Sequence, residues 1–230
     1  MTDTSHMHPN GTGSARAGFF ARLIGAYWDF TGSTRRLLAE RPSEATLLSF
    51  IMVVGVVTFL LDVAGWQLYP DPVARPEGLT ARVVVELLVG GVLAYPLAVY
   101  LGAALLTPIC WLFRGQGSWY ETRLAVIWSS VVALPVTVLD SLVFAPGVRE
   151  SVREMSPDFV TQVGLSMMSP TVLLTMFIFS AALTAAHSYR SSRITFGVVF
   201  AITMAIVLGA ATWGASMFPN GMPGTAGAAS

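Results

Sequence analysis

The stretch from Thr46 to Tyr69 reads TLLSFIMVVGVVTFLLDVAGWQLY, and Asp62 is its single charged residue. About 20 helical residues of this character are enough to cross the ~30 Å hydrocarbon core of a bilayer. The stretch therefore predicts a membrane-spanning helix. Trp66 and Tyr69 at its end are typical of side chains that lie at a membrane surface.

Four further apolar stretches follow in the chain of 230 residues: Val83 to Phe113, Leu124 to Ala145, Val163 to Ser188 and Ile194 to Met217. The first of these is too long for one helix perpendicular to the membrane at ~1.5 Å per residue. We expect it to tilt, to extend beyond the bilayer or to break at Pro96 or Pro108. A further break is expected at Pro170. The sequence thus predicts an all-α fold, an integral membrane bundle of five transmembrane helices over residues 46–218.

The composition agrees with a membrane protein, because 54% of the residues are hydrophobic and only 11% are charged, against ~25% charged in ordinary globular domains. The 13 basic residues are all arginine and are balanced by 13 acidic ones. Without a net positive field, no nucleic-acid partner is expected. The lone Cys110 cannot form an internal disulfide.

The N-terminal region divides into two parts. Residues 1–16 are polar and predict a disordered tail, as residues 219–230 predict a flexible C-terminal tail. Residues 17–45 predict an interfacial amphipathic segment, since Phe19, Leu23, Tyr27 and Phe30 recur at helical spacing between charged residues.

This amphipathic helix has two possible contacts. It can lie in the membrane interface, or it can pack against the cytoplasmic face of the bundle. For the first case, the candidate lipid contacts are Phe19, Leu23, Trp28, Arg35, Arg36 and Arg41. Basic residues just before the first span are typical of juxtamembrane anchors, and the bilayer is the expected partner.

The arginines predict an orientation, because short cytoplasmic loops are enriched in basic residues. With the N-terminus inside, nine arginines lie on the inner side and four on the outer side. The inner set is Arg16, Arg22, Arg35, Arg36, Arg41, Arg114, Arg123, Arg190 and Arg193; the outer set is Arg75, Arg82, Arg149 and Arg153. We expect a bacterial inner-membrane protein with a cytoplasmic N-terminus and an external C-terminus.

Three acids, Asp62, Glu86 and Asp140, are predicted at similar depth in the outer third of the spans. Carboxylates in hydrocarbon are costly and often mark ion or proton sites. They form a candidate intramembrane polar site. Alternatively, Arg82 pairs with Glu86 one helical turn away, and the two aspartates lie near the headgroups.

The last apolar stretch carries a small residue at every fourth position: Gly197, Ala201, Ala205 and Gly209. Small residues let helix backbones approach closely in membranes. This candidate helix-packing stripe could face the preceding span, at Ala181 and Ala185 or at Ala182 and Ala186, or it could face a second copy of the protein.

Enzyme motifs are few. The sequence contains no HExxH, CxxC, GxSxG or phosphate-binding loop, and His6 and His8 lie in the polar tail without a third ligand. No catalytic residue, metal or cofactor is therefore expected. His187 stands alone at the end of a predicted helix.

The stretch RGQGSWYETRLAVIWSSVVALP, residues 114–135, resembles the central signature of the Yip domain family, five-span membrane proteins that interact with Ypt GTPases. The matching positions are Arg114, Gly115, Gly117, Ser118, Trp119 and Pro135. Ala94-Tyr95-Pro96 and the connector from Tyr189 to Arg193 are also similar. The N-terminal segment has no acidic-Leu-Gly-Pro-like motif of the eukaryotic members, which implies the bacterial branch.

Two functions are compatible with these features. The first is a non-enzymatic membrane protein of the Yip-like family that organises the bilayer or partner proteins, including copies of itself. The alternative is a small transporter or ion-conducting protein that uses Asp62, Glu86 and Asp140 together with helices broken at prolines. A membrane hydrolase is a distant third, because no nucleophile and base stand at usable spacing.

Overall fold

A computed structural model describes residues 18–68, 79–144 and 169–217. These residues form helices without any strand. The helices are α1 Phe19–Trp28, α2 Phe30–Glu40, α3 Glu44–Leu68, α4 Ala81–Leu88, α5 Tyr95–Leu112, α6 Trp119–Leu139, α7 Pro170–His187 and α8 Ser192–Met217. The two predicted tails, and the predicted start of the fourth span at Val163, lie outside the described residues.

The N-terminal amphipathic segment is two helices rather than the single one predicted. The break is at Asp29, whose extended backbone ends α1 and whose carboxylate accepts a hydrogen bond from the Gly32 backbone N–H at 2.7 Å. An aspartate at this N-cap position stabilises the start of a helix. A Cβ at residue 32 would overlap that carboxylate, so a larger residue there requires the Asp29 side chain to move out of its capping position.

The second apolar stretch is one long helix with a π-helical turn, Val89–Ala94, between α4 and α5. The turn stands directly before Pro96, which cannot donate a backbone hydrogen bond. A break at Pro96 or Pro108 was among the expectations for this stretch, and the irregular turn ends two residues before Pro96. Pro108 lies inside α5.

A close crossing joins α3 to this π-helical turn. The backbone of Gly55 on α3 lies so near Gly91 that a Cβ at residue 55 would overlap the Gly91 carbonyl oxygen. A Cβ at residue 91 would come within 3.0 Å of the Phe59 Cβ. Paired small residues of this kind let membrane helices pack backbone to backbone.

Helix α6 is the centre of the bundle. It packs against α3, α5 and α7, and its buried side chains form much of the core: Leu124, Ala125, Ile127, Trp128, Val131 and Val132. A second π-helical segment, Asp140–Phe144, extends α6. The helix begins at Ser118 with a capping box, in which Ser118 and Glu121 each accept the other's backbone N–H.

Helices α7 and α8 form an adjacent pair after a short connector. Ser169 caps α7, and Pro170 occupies its first position, so the expected break at Pro170 is the start of this helix. Thr184 of α7 and Thr195 of α8 share a hydrogen bond of 3.0 Å near the connector.

Within the described ranges, four helical segments are long and apolar enough to cross a membrane: residues 44–68, 81–112, 119–142 and 170–187. The apolar part of α8 within the described side chains, Ser192–Ala205, is shorter. On α5 and the turn before it, leucines at every fourth position are 58–70% exposed: Leu93, Leu97, Leu101 and Leu105. Such a continuous apolar ridge is typical of a surface that faces lipid or another protein.

Several elements meet at one end of the bundle, which we call the α1–α2 end. The Tyr120 hydroxyl donates to the Pro42 carbonyl at 2.7 Å, and Arg123 pairs with Glu44 at the start of α3. The Gln116 N–H donates to the His187 carbonyl at 3.2 Å. The α2–α3 junction, the α5–α6 turn and the α7–α8 connector therefore lie at the same end, and the α1–α2 pair extends from it along α6 to Val132.

Candidate functional site

One face of α1 is apolar and uncovered. Phe20, Ile24 and Trp28 are 75%, 63% and 89% exposed. Their spacing of four residues places them on one side of the helix. Neither Phe20 nor Ile24 was among the predicted lipid contacts, although the same spacing could have identified them. We call these three side chains the outer face of α1.

The opposite face of α1 packs on the bundle. Leu23 and Tyr27 of α1 and Phe30 of α2 are half-buried and pack against the core, so Leu23, one of the predicted lipid contacts, faces the bundle. Phe19 is 41% exposed, but its ring packs against that of Phe50, with 5.7 Å between the two ring centroids. The helix therefore packs on the bundle along one side and leaves its other side open.

Tyr27 fixes this packing. Its hydroxyl donates to the Val132 carbonyl at 2.5 Å, in the turn of α6 that precedes Pro135. Pro135 has no N–H for the Val131 carbonyl, so the Tyr27 bond lies next to the carbonyl that the proline leaves without its helical donor. Burial raises the pKa of the Tyr27 phenol. Farther along, the Trp128 indole donates to the Ser33 hydroxyl at 3.2 Å, which ties α2 to α6.

The α1–α2 end is strongly basic. Among the described residues it holds eight arginines and four carboxylates: Arg22, Arg35, Arg36, Arg41, Arg114, Arg123, Arg190 and Arg193, with Asp29, Glu40, Glu44 and Glu121. The opposite end holds one described arginine, Arg82, and three carboxylates, Asp62, Glu86 and Asp140.

The carboxylates at the α1–α2 end are already engaged. Asp29 and Glu121 cap helices, as described above. Glu40 pairs with Arg22 at 2.5 Å, and Glu44 pairs with Arg123, whose guanidinium lies over the rings of Tyr100 and Tyr120. The other six arginines make no ion pair with a described carboxylate. Arg35, Arg36 and Arg41 are among these six and are exposed, so they can meet anionic groups outside the chain.

The residues that carry the family resemblance form the α5–α6 turn. Arg114 adopts a left-handed backbone with φ 61°, and the N–H groups of Arg114 and Gly115 donate to the carbonyls of Trp111 and Cys110. These two bonds satisfy the last carbonyls of α5. Ser118 then caps α6, and Trp119 is its first residue.

His187 connects this turn to the end of α7. The imidazole is 1% exposed; its Nδ1 accepts the Gly117 N–H at 3.2 Å, and its Nε2 lies 2.9 Å from the Thr122 hydroxyl. Since the Thr122 hydroxyl donates to the Ser118 carbonyl, Nε2 is the donor of its contact with Thr122. Each polar atom is satisfied only when the ring is neutral.

Two glycines make this contact possible. A Cβ at Gly117 would lie 2.5 Å from the Ala186 carbonyl oxygen, and one at Gly115 would lie 2.6 Å from His187 Nδ1. The Tyr189 ring stacks on His187, and its hydroxyl donates to the Cys110 carbonyl at 2.8 Å. Burial, with the neighbouring Cys110 adding to it, raises the pKa of Tyr189. His187 and Gly117 are thus buried where the turn meets the connector, whereas Arg114 and Arg190 of the same two segments are exposed.

The three candidate acids lie at the end opposite α1 and α2. Arg82 donates to Glu86 at 2.8 Å, so the expected ion pair is present. Asp62 and Glu86 are exposed and Asp140 is half-buried. No group of three His, Cys, Asp or Glu side chains within the described ranges could hold a metal ion. His6 and His8 lie outside those ranges.

The small-residue stripe of α8 is left uncovered by the part of the chain that the structure describes. Gly197, Ala201, Ala205 and Gly209 are all exposed, and a Cβ at Gly197 or Gly209 would meet nothing within 4 Å. Its proposed partners on α7 belong to a different contact: Ala182 and Ala186 pack with Cys110 and Ala125. The described residues therefore give no support to packing of the stripe against α7, and its four residues are exposed.

Comparison of the chain with protein-family models, with curated proteins and with solved structures gives no significant match.

Proposed function

We propose that this chain is a non-enzymatic multi-pass membrane protein that organises lipids or partner proteins from its basic α1–α2 end. The observation that carries the proposal is the outer face of α1. Its three large apolar side chains are uncovered, and Arg35 and Arg36 on the following helix α2 are exposed and pair with no described carboxylate. An apolar helix face flanked by basic side chains is suited to the headgroup region of an anionic membrane.

The proposal includes membership of the Yip-like family and five spans. The Arg114–Trp119 turn and the Tyr189–Arg193 connector, the separate segments that resemble the family, are adjacent to the same buried histidine, which supports a shared structural role. For the fifth span, α8 has 26 residues, and at ~1.5 Å per residue such a helix exceeds the hydrocarbon thickness.

The proposal also includes a bacterial inner membrane with the α1–α2 end in the cytoplasm. The excess of arginines over carboxylates at that end supports this orientation, because basic residues are retained on the cytoplasmic side. The transport alternative needs Asp62, Glu86 and Asp140 to converge on a wet cavity. Of these three acids, Glu86 pairs with Arg82, as the other interpretation of the acids expects.

The depth of residue 24 tests the membrane contact. A spin label on Ile24→Cys, in the full chain with Cys110→Ala, is expected to lie below the lipid phosphates in nanodiscs. Oxygen should then relax the label more than a water-soluble nickel reagent does. The matched control is Ala39→Cys, an exposed site on α2 next to the arginines. Equal access of the nickel reagent to both labels would contradict the proposal.

The organising role needs a second comparison. The variant Phe20→Ser, Ile24→Ser, Trp28→Ser changes only exposed side chains, so it should fold. We expect it to lose proteins or lipids that co-purify with the wild-type chain in mild detergent. An unchanged set of co-purified molecules would argue against a role for this face.

A further inference from the structure

A groove of about 400 Å³ lies between α5, α7 and α8, and nothing above assigns it a ligand. This volume is within the ~300–1,000 Å³ of ordinary small-molecule sites. Most of its lining is aliphatic or aromatic, including Leu106, Ile109, Phe179, Leu183, Val198 and Ile202.

The groove is long and runs along α8. Its lining extends from Ser191 in the connector to Thr203, which corresponds to roughly 18 Å at ~1.5 Å per residue. This length is close to half of the ~30 Å hydrocarbon core. The groove therefore begins at the α1–α2 end of the bundle and reaches about as deep as one lipid leaflet.

Charge is present at one end only. Arg190, beside Tyr189 and Ser191, is the single charged residue among the described lining residues. Its side chain is exposed and makes no ion pair with a described carboxylate. A ligand that matches this lining has an anionic group at one end and an extended apolar tail at the other.

We infer that the groove binds one acyl chain of an anionic phospholipid from the surrounding bilayer. The headgroup phosphate lies at the Arg190 guanidinium, which is suited to phosphate oxygens because of its planar set of donors. The chain extends along α8 past Val198 and Ile202. The groove does not involve the outer face of α1, so this site and the proposed function can fail separately.

The test uses the full chain in nanodiscs that contain equal amounts of phosphatidylglycerol and phosphatidylcholine with identical acyl chains. Each lipid in turn carries a photoactivatable group in mid-chain, and crosslinked peptides are mapped by mass spectrometry. Crosslinks are expected on α8 between Ile194 and Thr203. Phosphatidylglycerol should exceed phosphatidylcholine about fivefold, the factor equivalent to ~1 kcal/mol for one arginine at a membrane surface.

Arg190→Gln is expected to remove most of this preference. Arg193→Gln is the matched control, because Arg193 is also exposed but does not line the groove, and it should keep the preference. Val198→Trp should reduce crosslinking of both lipids by filling the groove. Its control is Ala201→Trp on the exposed side of the same helix.

Three results would overturn the inference. The wild-type chain could crosslink both lipids equally, the two arginine variants could lose the preference equally, or the crosslinks could map outside the groove. Arg190 is exposed, so its variant is informative even where Val198→Trp does not fold.

Discussion

Two tyrosine hydroxyls hold the peripheral parts of the chain to the bundle. Tyr27 attaches α1 to the proline-containing region of α6, and Tyr189 attaches the connector to the end of α5. Both hydroxyls donate to backbone carbonyls, and an ionised phenol cannot donate. Both phenols also have a raised pKa in the folded chain.

These pKa shifts predict a loss of stability at alkaline pH. Below the ordinary tyrosine pKa of about 10, both states hold the protons and pH has no effect through these groups. Above it, the unfolded chain releases protons that the folded chain retains, so the free energy of unfolding falls as pH rises. Thermal midpoints in detergent between pH 8 and 11 should fall less steeply for Tyr27→Phe, Tyr189→Phe than for wild type. Identical slopes would contradict this origin.

His187 is a structural residue that links segments far apart in the sequence. Replacing it by alanine leaves the Gly117 N–H buried without its acceptor and opens a cavity. We expect a loss of about 3 kcal/mol in the free energy of unfolding, measured by denaturation in mixed micelles.

Ser188 provides a control of opposite sign for this experiment. It is exposed and adopts a left-handed backbone with φ 56°. Ser188→Gly should therefore raise stability by up to about 1 kcal/mol. A His187→Ala variant as stable as wild type would show that the hydrogen-bonded unit contributes little.

At the scale of elements, the structure separates two kinds of glycine. Gly55 and Gly91 lie in a close helix crossing, whereas Gly197 and Gly209 have open space around them. A stripe of small residues in a sequence does not distinguish these cases, because the distinction depends on which helix is adjacent.

Alanine substitutions should reveal the difference. Gly55→Ala is expected to lower the free energy of unfolding by ~1–3 kcal/mol through overlap with the Gly91 carbonyl. Gly197→Ala should be neutral or stabilise the helix by up to ~1 kcal/mol. Denaturation of the two purified variants against wild type provides the measurement. A comparable loss for both would show that α8 packs more closely than the structure indicates.

The apolar helices could be predicted from the sequence because hydrophobic length is a local property. The orientation of α1 could not. Leu23 and Tyr27 lie on one face of the helix, and Ile24 and Trp28, each one residue farther along, lie on a neighbouring face. Both sets are apolar, and only the surface of the bundle determines which set is covered. The break at Asp29 could not be predicted from the sequence either, because an aspartate can cap a helix or lie on its polar face.

The candidate site was predicted only in part for a similar reason. Arg35 and Arg36 of α2 can be recognised in the sequence because they are adjacent. The α5–α6 turn can be recognised because its motif is one short continuous segment. The contact of Gly117 with His187 joins residues 70 positions apart, and a single histidine has no local signal for such a partner. The ion pair of Glu44 with Arg123 depends on the bundle in the same way.

At the scale of the whole molecule, the charges divide between the two ends. The α1–α2 end has twice as many described arginines as carboxylates, and the opposite end has three carboxylates for one arginine. The charged mouth of the groove lies at the basic end, and the outer face of α1 extends from that end along α6 toward the level of Val132. The proposed function therefore requires the α1–α2 end to lie at the cytoplasmic surface of the membrane.

Cysteine accessibility tests this orientation most directly. Three exposed positions serve in a Cys110→Ala chain: Ala39→Cys and Gln116→Cys at the α1–α2 end, and Ala81→Cys at the opposite end. A membrane-impermeant maleimide applied to intact spheroplasts should label residue 81 alone, and permeabilised cells should be labelled at all three. Labelling of residues 39 and 116 in intact spheroplasts, or of residue 81 only after permeabilisation, would contradict the account.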